Sequence, residues 1–310
     1  MRARALITSA VTSLLLVLAA CGGSSSNGPN STVKVTAVPQ FTHVAIVVLE
    51  NASYPDVIGN ASMPYLNSLA SQYSSLASYY ANAHPSIPNY FMLTAGNSET
   101  LDDSFSGTVT DDNLVREIVA KGLTWKAYEE SIPSVGYLGG DSGLYYERHD
   151  PLSYFSDARN TPAQAANIVP FSQLAVDMSS GSLPNFMWIT PNGLDNAHDC
   201  PSSNSGCSLS SRLTTADNWL KTNIQPLLSN PSFSANGLLI VVFDEGEDTD
   251  LDHVGGHVAC LLAGTHVKTH YSSNATYQHQ DTLSLIGHAL KLNSIPGLGA
   301  SGGSMLEFFQ

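Results

Sequence analysis

The sequence predicts an α/β fold whose mainly parallel sheet is covered on both faces. Continuous apolar runs such as HVAIVVL at 43–49 and LLIVVF at 238–243 alternate with segments of helical period. A strand with one wet face would instead alternate apolar and polar residues. At 310 residues and 43% hydrophobic, the chain can also bury the core that such a sheet requires.

Taken in order, residues 43–50 read as a strand, 64–73 as a helix, 75–82 as a strand and 88–95 as a helix with proline in its first turn. Residues 111–121 form an amphipathic helix stopped by Gly122, and 123–129 the next strand. After a long irregular stretch come helix 171–178, strand 185–190, helix 213–228, strands 238–243 and 257–263, and helix 282–292. Ligands of such sheets collect beyond the C-terminal ends of the strands. There Glu50 and Asn51 follow the first strand, Asp195 and His198 the strand 185–190, and Asp244 and Glu245 the strand 238–243.

The N-terminus reads as an address. Arg2 and Arg4 precede an apolar stretch at 5–20, too short for an ordinary membrane span and placed as a signal peptide is. It ends Leu-Ala-Ala-Cys, like the cleavage box of bacterial lipoproteins, which makes Cys21 the lipidated residue. Residues 1–20 are then the leader, 21–40 a Gly/Ser/Asn-rich tether, and 41–310 one domain. The expected location is outside the cytoplasm, lipid-anchored to a bacterial membrane and facing the periplasm or exterior.

Loss of Arg2 and Arg4 with the leader would take the net charge from −14 to −16, a field that repels phosphate backbones. No nucleic-acid partner is expected, and membrane contact is expected through the anchor only. In an oxidising compartment Cys200 and Cys207, close together in a Ser/Asn/Gly loop, should form a disulfide. A structural zinc site would want more ligands at tight spacing. Cys260, in an apolar run, reads as a small buried hydrophobe.

Glu50, Asn51, Asp244 and Glu245 are oxygen donors that this fold could gather around one cation, which would relieve the mutual repulsion of their carboxylates. Either pair alone could equally cap a helix or face water. In His84-Pro85-Ser86-Ile87-Pro88-Asn89-Tyr90, a serine stands at an apparent helix N-terminus, where backbone N–H groups favour an alkoxide and a phosphate. Spacing alone does not separate that role from an ordinary N-cap.

The ordered set ENASY, MPYLNSLA, HPSIPNY, TWKAYEES, YYERHDP, PNGLDNAHD, FDEGED, GGHVACLLAG and YQHQDTLSLIGHAL, over about 41–292, resembles the phosphoesterase family of acid phosphatases and bacterial phospholipases C. That family lies in the alkaline-phosphatase-like superfamily, so the resemblance implies a three-layer α/β/α sandwich. It implies Glu50, Asn51, Asp244, Glu245 and Ser86 as metal ligands, with Ser86 also the nucleophile. It implies that His84, His149, His198 and His257 bind phosphate oxygens or protonate the leaving group. Asp150 stands where relatives often carry Asn, and of His253 and His257 the second is expected to face the metal.

His43, His266, His270 and His288 read as ordinary histidines, His279 as a helix-start or rim residue, Tyr128 and Glu130 as packing residues, and Asp195 as the partner that orients His198. The resulting expectation is an acid phosphatase acting on small phosphomonoesters through phosphoserine, with at least one divalent ion: Mg, Ca, Mn, Zn or Fe. Its optimum would lie on the order of pH 5 to 6.5, near the reference histidine value. A phospholipase C-type diesterase and a catalytically inactive surface binding lipoprotein are the alternatives. A sulfatase would place Arg where Tyr90 stands.

Overall fold

Two strands that are buried at every position fix the centre of the molecule. β1 (His43–Leu49) and β7 (Gly237–Phe243) run parallel and in register, from His43 beside Gly237 to Leu49 beside Phe243. A computed structural model describes residues 35–310; the leader, Cys21 and the tether up to residue 34 lie outside the described residues.

The remaining strands are β2 (Ser74–Leu76), β3 (Tyr79–Tyr80), β4 (Trp125–Glu129), β5 (Ile168–Pro170), β6 (Phe186–Thr190), β8 (Cys260–Gly264), β9 (Tyr271–Ser273) and β10 (Tyr277–Gln278). Eight of the ten described strands form one sheet in the order β5-β4-β6-β1-β7-β8-β2-β9, and β10 pairs with β3 apart from it. From β5 to β7 every pairing is parallel; β8 then runs antiparallel to both β7 and β2. The expected mainly parallel sheet is therefore present, with a mixed edge. The larger helices pack in two pairs, Pro64–Gln72 with Leu209–Asn223 and Ile87–Thr94 with His279–Ala289. The central strands have no exposed face, which is why they carry no polar alternation.

Several boundaries differ from expectation for local reasons. The strand expected at 75–82 breaks at a turn after Leu76 and resumes as β3. The helix expected at 213–228 starts earlier, because the Ser208 hydroxyl caps Ser211 N–H, and it ends at Asn223. Pro226, lacking an N–H, opens the separate short helix Gln225–Ser229. The last helix also starts early, at His279, where Gln278 and Asp281 form a capping box. The strand expected at 257–263 begins only at Cys260; His257 and Val258 make isolated bridges. β5, β9 and β10 were not anticipated; with two or three residues each, they leave no periodic signal. Cys200 and Cys207 are joined, and Cys260 is free and buried.

Candidate active site

The β1–β7 register continues past the strand ends. Because Leu49 and Phe243 are partners, Glu50 and Asp244 emerge side by side, and Asp244 N–H donates to Leu49 O at 2.9 Å. Glu50 N–H donates to Asn196 O at 2.8 Å, which ties in the loop that follows β6. Asn51 turns the chain at φ +41°, a left-handed position that Asn tolerates better than most residues. Its N–H donates to Asp244 Oδ1 (3.2 Å) and its amide to Glu245 Oε1 (3.3 Å).

Ser86 enters this group from the start of the helix Ile87–Thr94, yet its side chain caps nothing. Asp103 takes the capping role, accepting Ile87 N–H at 3.1 Å. Asn89 stitches the preceding loop to the helix: its Oδ1 accepts from Asn82 and Ala83 N–H, and its Nδ2 donates to Ala83 O. On the other side Gly255 comes so close that a Cβ would meet Ala83 N at 2.6 Å and Ala81 C at 2.7 Å. Thus freed and held, Ser86 Oγ lies 2.8 Å from Glu245 Oε1 and 3.1 Å from Glu50 Oε2, with one proton to give either.

The carboxylates crowd one another. Burial, then the charge of Asp244, drives Glu50 well above the usual range; burial, then Glu245, does the same to Asp244. Burial and Glu50 push Glu245 up to about 8. Two oxygen acceptors here, Asn51 Oδ1 and Asp244 Oδ2, are buried without a partner. Among the described residues no three His, Cys, Asp or Glu side chains already form a cation cage. Asn51 and Ser86 bring two further oxygen-bearing side chains to the group. Mutually repelling carboxylates beside two unpartnered oxygens form a donor set that fits a hard divalent ion.

The expected histidines divide. His149 is buried with Nε2 3.3 Å from Glu50 Oε1 but poorly aligned with it, so that N–H has no hydrogen-bond acceptor. Asn196 lies against its other nitrogen, Tyr90 stacks on its ring, and burial holds its pKa well below normal. His198 lies beside it, ring centroids 6.0 Å apart, half-buried. Its Nδ1 donates to Asp199 Oδ1 at 2.7 Å, and Asp199 also accepts from Tyr146 OH.

Three expectations change. Asp199, not Asp195, orients His198; Asp195 faces Glu130 instead, and burial with that neighbouring charge pushes it up to about 6. His84 has both nitrogens engaged, by Glu245 Oε2 at 2.5 Å and Asp250 O at 2.9 Å, which leaves neither for a substrate. His257 stacks on Tyr54 and donates to Ala77 O, while His253 stacks on Tyr80; neither ring hydrogen-bonds a carboxylate of the group. The histidine behind Asp244 is His279, buried and neutral, donating Nε2–H to Asp244 O at 2.6 Å. Tyr90, whose hydroxyl donates to Glu50 Oε1, joins the group without being expected there; its place four residues after Ser86, on the same helix face, is the available signal.

The model of the Phosphoesterase family matches residues 60–293. The chain belongs to the phosphoesterase family. The matched span holds Ser86, His149, His198 and the Asp244–Glu245 pair, and starts after Glu50 and Asn51. This phosphoesterase is 31% identical over 83% of its length, and 80% of the other, to a Mycobacterium tuberculosis protein named phosphatidylinositol-3-phosphatase. It is 30% identical over 77% of its length to a probable acid phosphatase of Kluyveromyces lactis, of which it spans 58%. A Vibrio parahaemolyticus protein of the alkaline phosphatase superfamily shares the fold, with TM-score 0.56 and 14% identity over 81% of this chain and 68% of that one. The phosphoesterase is thus a hydrolase acting on phosphate esters, on the alkaline-phosphatase fold.

Proposed function

We propose that this phosphoesterase is an exported, lipid-anchored acid phosphatase that requires a divalent ion and hydrolyses phosphomonoesters through phosphoserine at Ser86. The observation that carries the reading is that Ser86, at a helix start, forgoes capping and gives its hydroxyl to Glu245 and Glu50. Glu50, Asn51, Ser86, Asp244 and Glu245 would hold the ion. When bound it would supply positive charge that lowers the hydroxyl pKa and offsets phosphoryl charge.

Ser86 Oγ attacks phosphorus, and its proton passes to Glu245, 2.8 Å away. As the bond from phosphorus to the leaving oxygen breaks, His198, oriented by Asp199, protonates that oxygen from Nε2. His149, neutral, donates its unpartnered Nε2–H to a phosphoryl oxygen. Water then gives a proton back to His198 as it attacks phosphorus, and Ser86 leaves with the proton held by Glu245.

The names of the mycobacterial and fungal relatives support a monoester substrate over a phospholipase C-type diester. Ser86→Ala should keep its melting temperature and lower phosphomonoester turnover by about 10³-fold or more. Near wild-type turnover would end the nucleophile assignment, and faster hydrolysis of phosphatidylcholine than of any monoester would favour the diesterase. The anchor is tested by Cys21→Ser, which should block processing and release or stall the protein; processing and partitioning both like wild type would refute it.

A further inference from the structure

His149 is held by burial, but His198 is only half-buried, so packing does not by itself fix its ring. Its orientation depends on Asp199, whose two oxygens have separate tasks. Oδ1 accepts from His198 Nδ1 at 2.7 Å, and Oδ2 accepts from Tyr146 OH at 2.6 Å. The last torsion of an aspartate is soft, so a carboxylate tied at one oxygen alone can turn. The Tyr146 hydroxyl stops that rotation.

Tyr146 reaches both histidines at once. It opens the short turn Glu147–His149, and its carbonyl accepts His149 N–H at 3.1 Å. Its ring centroid lies 5.4 Å from that of His149 and 5.9 Å from that of His198. The ring is itself held: the Arg148 guanidinium lies 4.2 Å from its centroid and donates to Asp141 Oδ2 at 2.8 Å. In the loop after β6, Gly193 leaves room for the contact, since a Cβ there would collide with both Asp199 Oδ2 and Tyr146 Cε2. Arg212 Nη1 donates to His198 O at 2.8 Å and so ties down the backbone of the same residue.

We propose that Tyr146 is a positioning residue for the hydrolysis: through Asp199 it aims His198 Nε2 at the leaving oxygen, beside the phosphoryl group that His149 addresses. The proposal rests on the reading of His198 as the acid. Tyr146 keeps its proton, because burial, then the bond to Asp199, pushes it up to about 12. Burial works against the Asp199 charge, but the bonds from Tyr146 and His198 outweigh it and hold that carboxyl below its usual value. The proton that reaches the leaving oxygen is therefore the one on His198 Nε2, and neither supporting group gives one up.

The test compares leaving groups. The para-nitrophenolate ion departs without a proton, whereas the alkoxide of glycerol phosphate needs one. Tyr146→Phe keeps the ring and removes the hydroxyl. Its kcat/KM should fall about tenfold or more on glycerol phosphate and about twofold or less on para-nitrophenyl phosphate. Asp199→Asn should show the same preference, and the double variant should be no worse than Asp199→Asn, because both changes interrupt one chain of contacts. Equal losses on the two substrates in Tyr146→Phe, or losses that multiply in the double variant, would overturn the proposal. His198→Asn tells the two failures apart. If it too loses both substrates equally, the acid assignment falls and Tyr146 falls with it; if it discriminates while Tyr146→Phe does not, only the role of Tyr146 falls.

Discussion

Glu307 and the Glu50–Asp244–Glu245 group are both carboxylates set among neutral side chains, and the protein treats them in opposite ways. Glu307 accepts from Tyr271, Ser273 and Tyr277 hydroxyls, each at 2.7 Å, and Lys268 lies nearby, so its pKa falls despite partial burial. Around Ser86 the donors are few, the charges are alike, and the pKa values rise. A carboxylate that the fold satisfies is structural. A group of carboxylates left repelling one another, with Asn51 Oδ1 and Asp244 Oδ2 unpartnered, is kept for something the chain itself does not supply.

The largest effect should come from removing a member of the unsatisfied group. Asp244→Ala should abolish stoichiometric divalent-ion binding and lower turnover by about 10³-fold or more, while circular dichroism stays that of the wild type. Metal content measured after gel filtration checks this, and full retention of the ion by both Asp244→Ala and Glu50→Ala would remove the site.

A smaller effect should appear in the stability of the chelated protein. Glu245 is pushed up to about 8 when folded and returns to about 4.3 when unfolded. Between those values the folded chain holds a proton that the unfolded chain has lost, so stability is full near pH 4.5 and declines as pH rises through 8. Glu50, Asp244, Glu129 and Asp150 shift in the same direction. The melting temperature of the chelated protein should therefore fall from pH 5 to pH 8, and a divalent ion should raise it most at pH 8. A melting temperature that rises with pH would contradict the account.

The smallest effect belongs to the satisfied carboxylate. Glu307→Gln keeps the shape and removes the charge that three hydroxyls address, so it should cost about 1–2 kcal/mol of stability and leave kcat within twofold. Denaturant unfolding and steady-state kinetics separate the two. A loss of turnover without a loss of stability would place Glu307 in the wrong class.

The same contrast explains what was legible in the sequence. HVAIVVL and LLIVVF announced themselves as central strands because burial on both faces removes polar alternation, and Glu50–Asn51 and Asp244–Glu245 stood out as polar groups at their ends. Ser86 was visible from its prolines, and the Cys200–Cys207 link from spacing. The histidines were less legible, because each role depends on what lies across space. His84 is consumed by Glu245 and Asp250, His257 by Ala77 and Tyr54, and His279 stands behind Asp244 although 35 residues separate them. Asp195 and Asp199 both flank His198 in sequence, and only the turn decides which carboxylate meets its ring.

Trapping the covalent intermediate tests the central claim most directly. The metal-loaded enzyme is mixed with a phosphomonoester for a fraction of one turnover, quenched in acid and digested. The account predicts one phosphate on the peptide that contains Ser86, missing in Ser86→Ala. A wild-type enzyme that turns over fully while its Ser86 peptide remains unmodified at every quench time would contradict it.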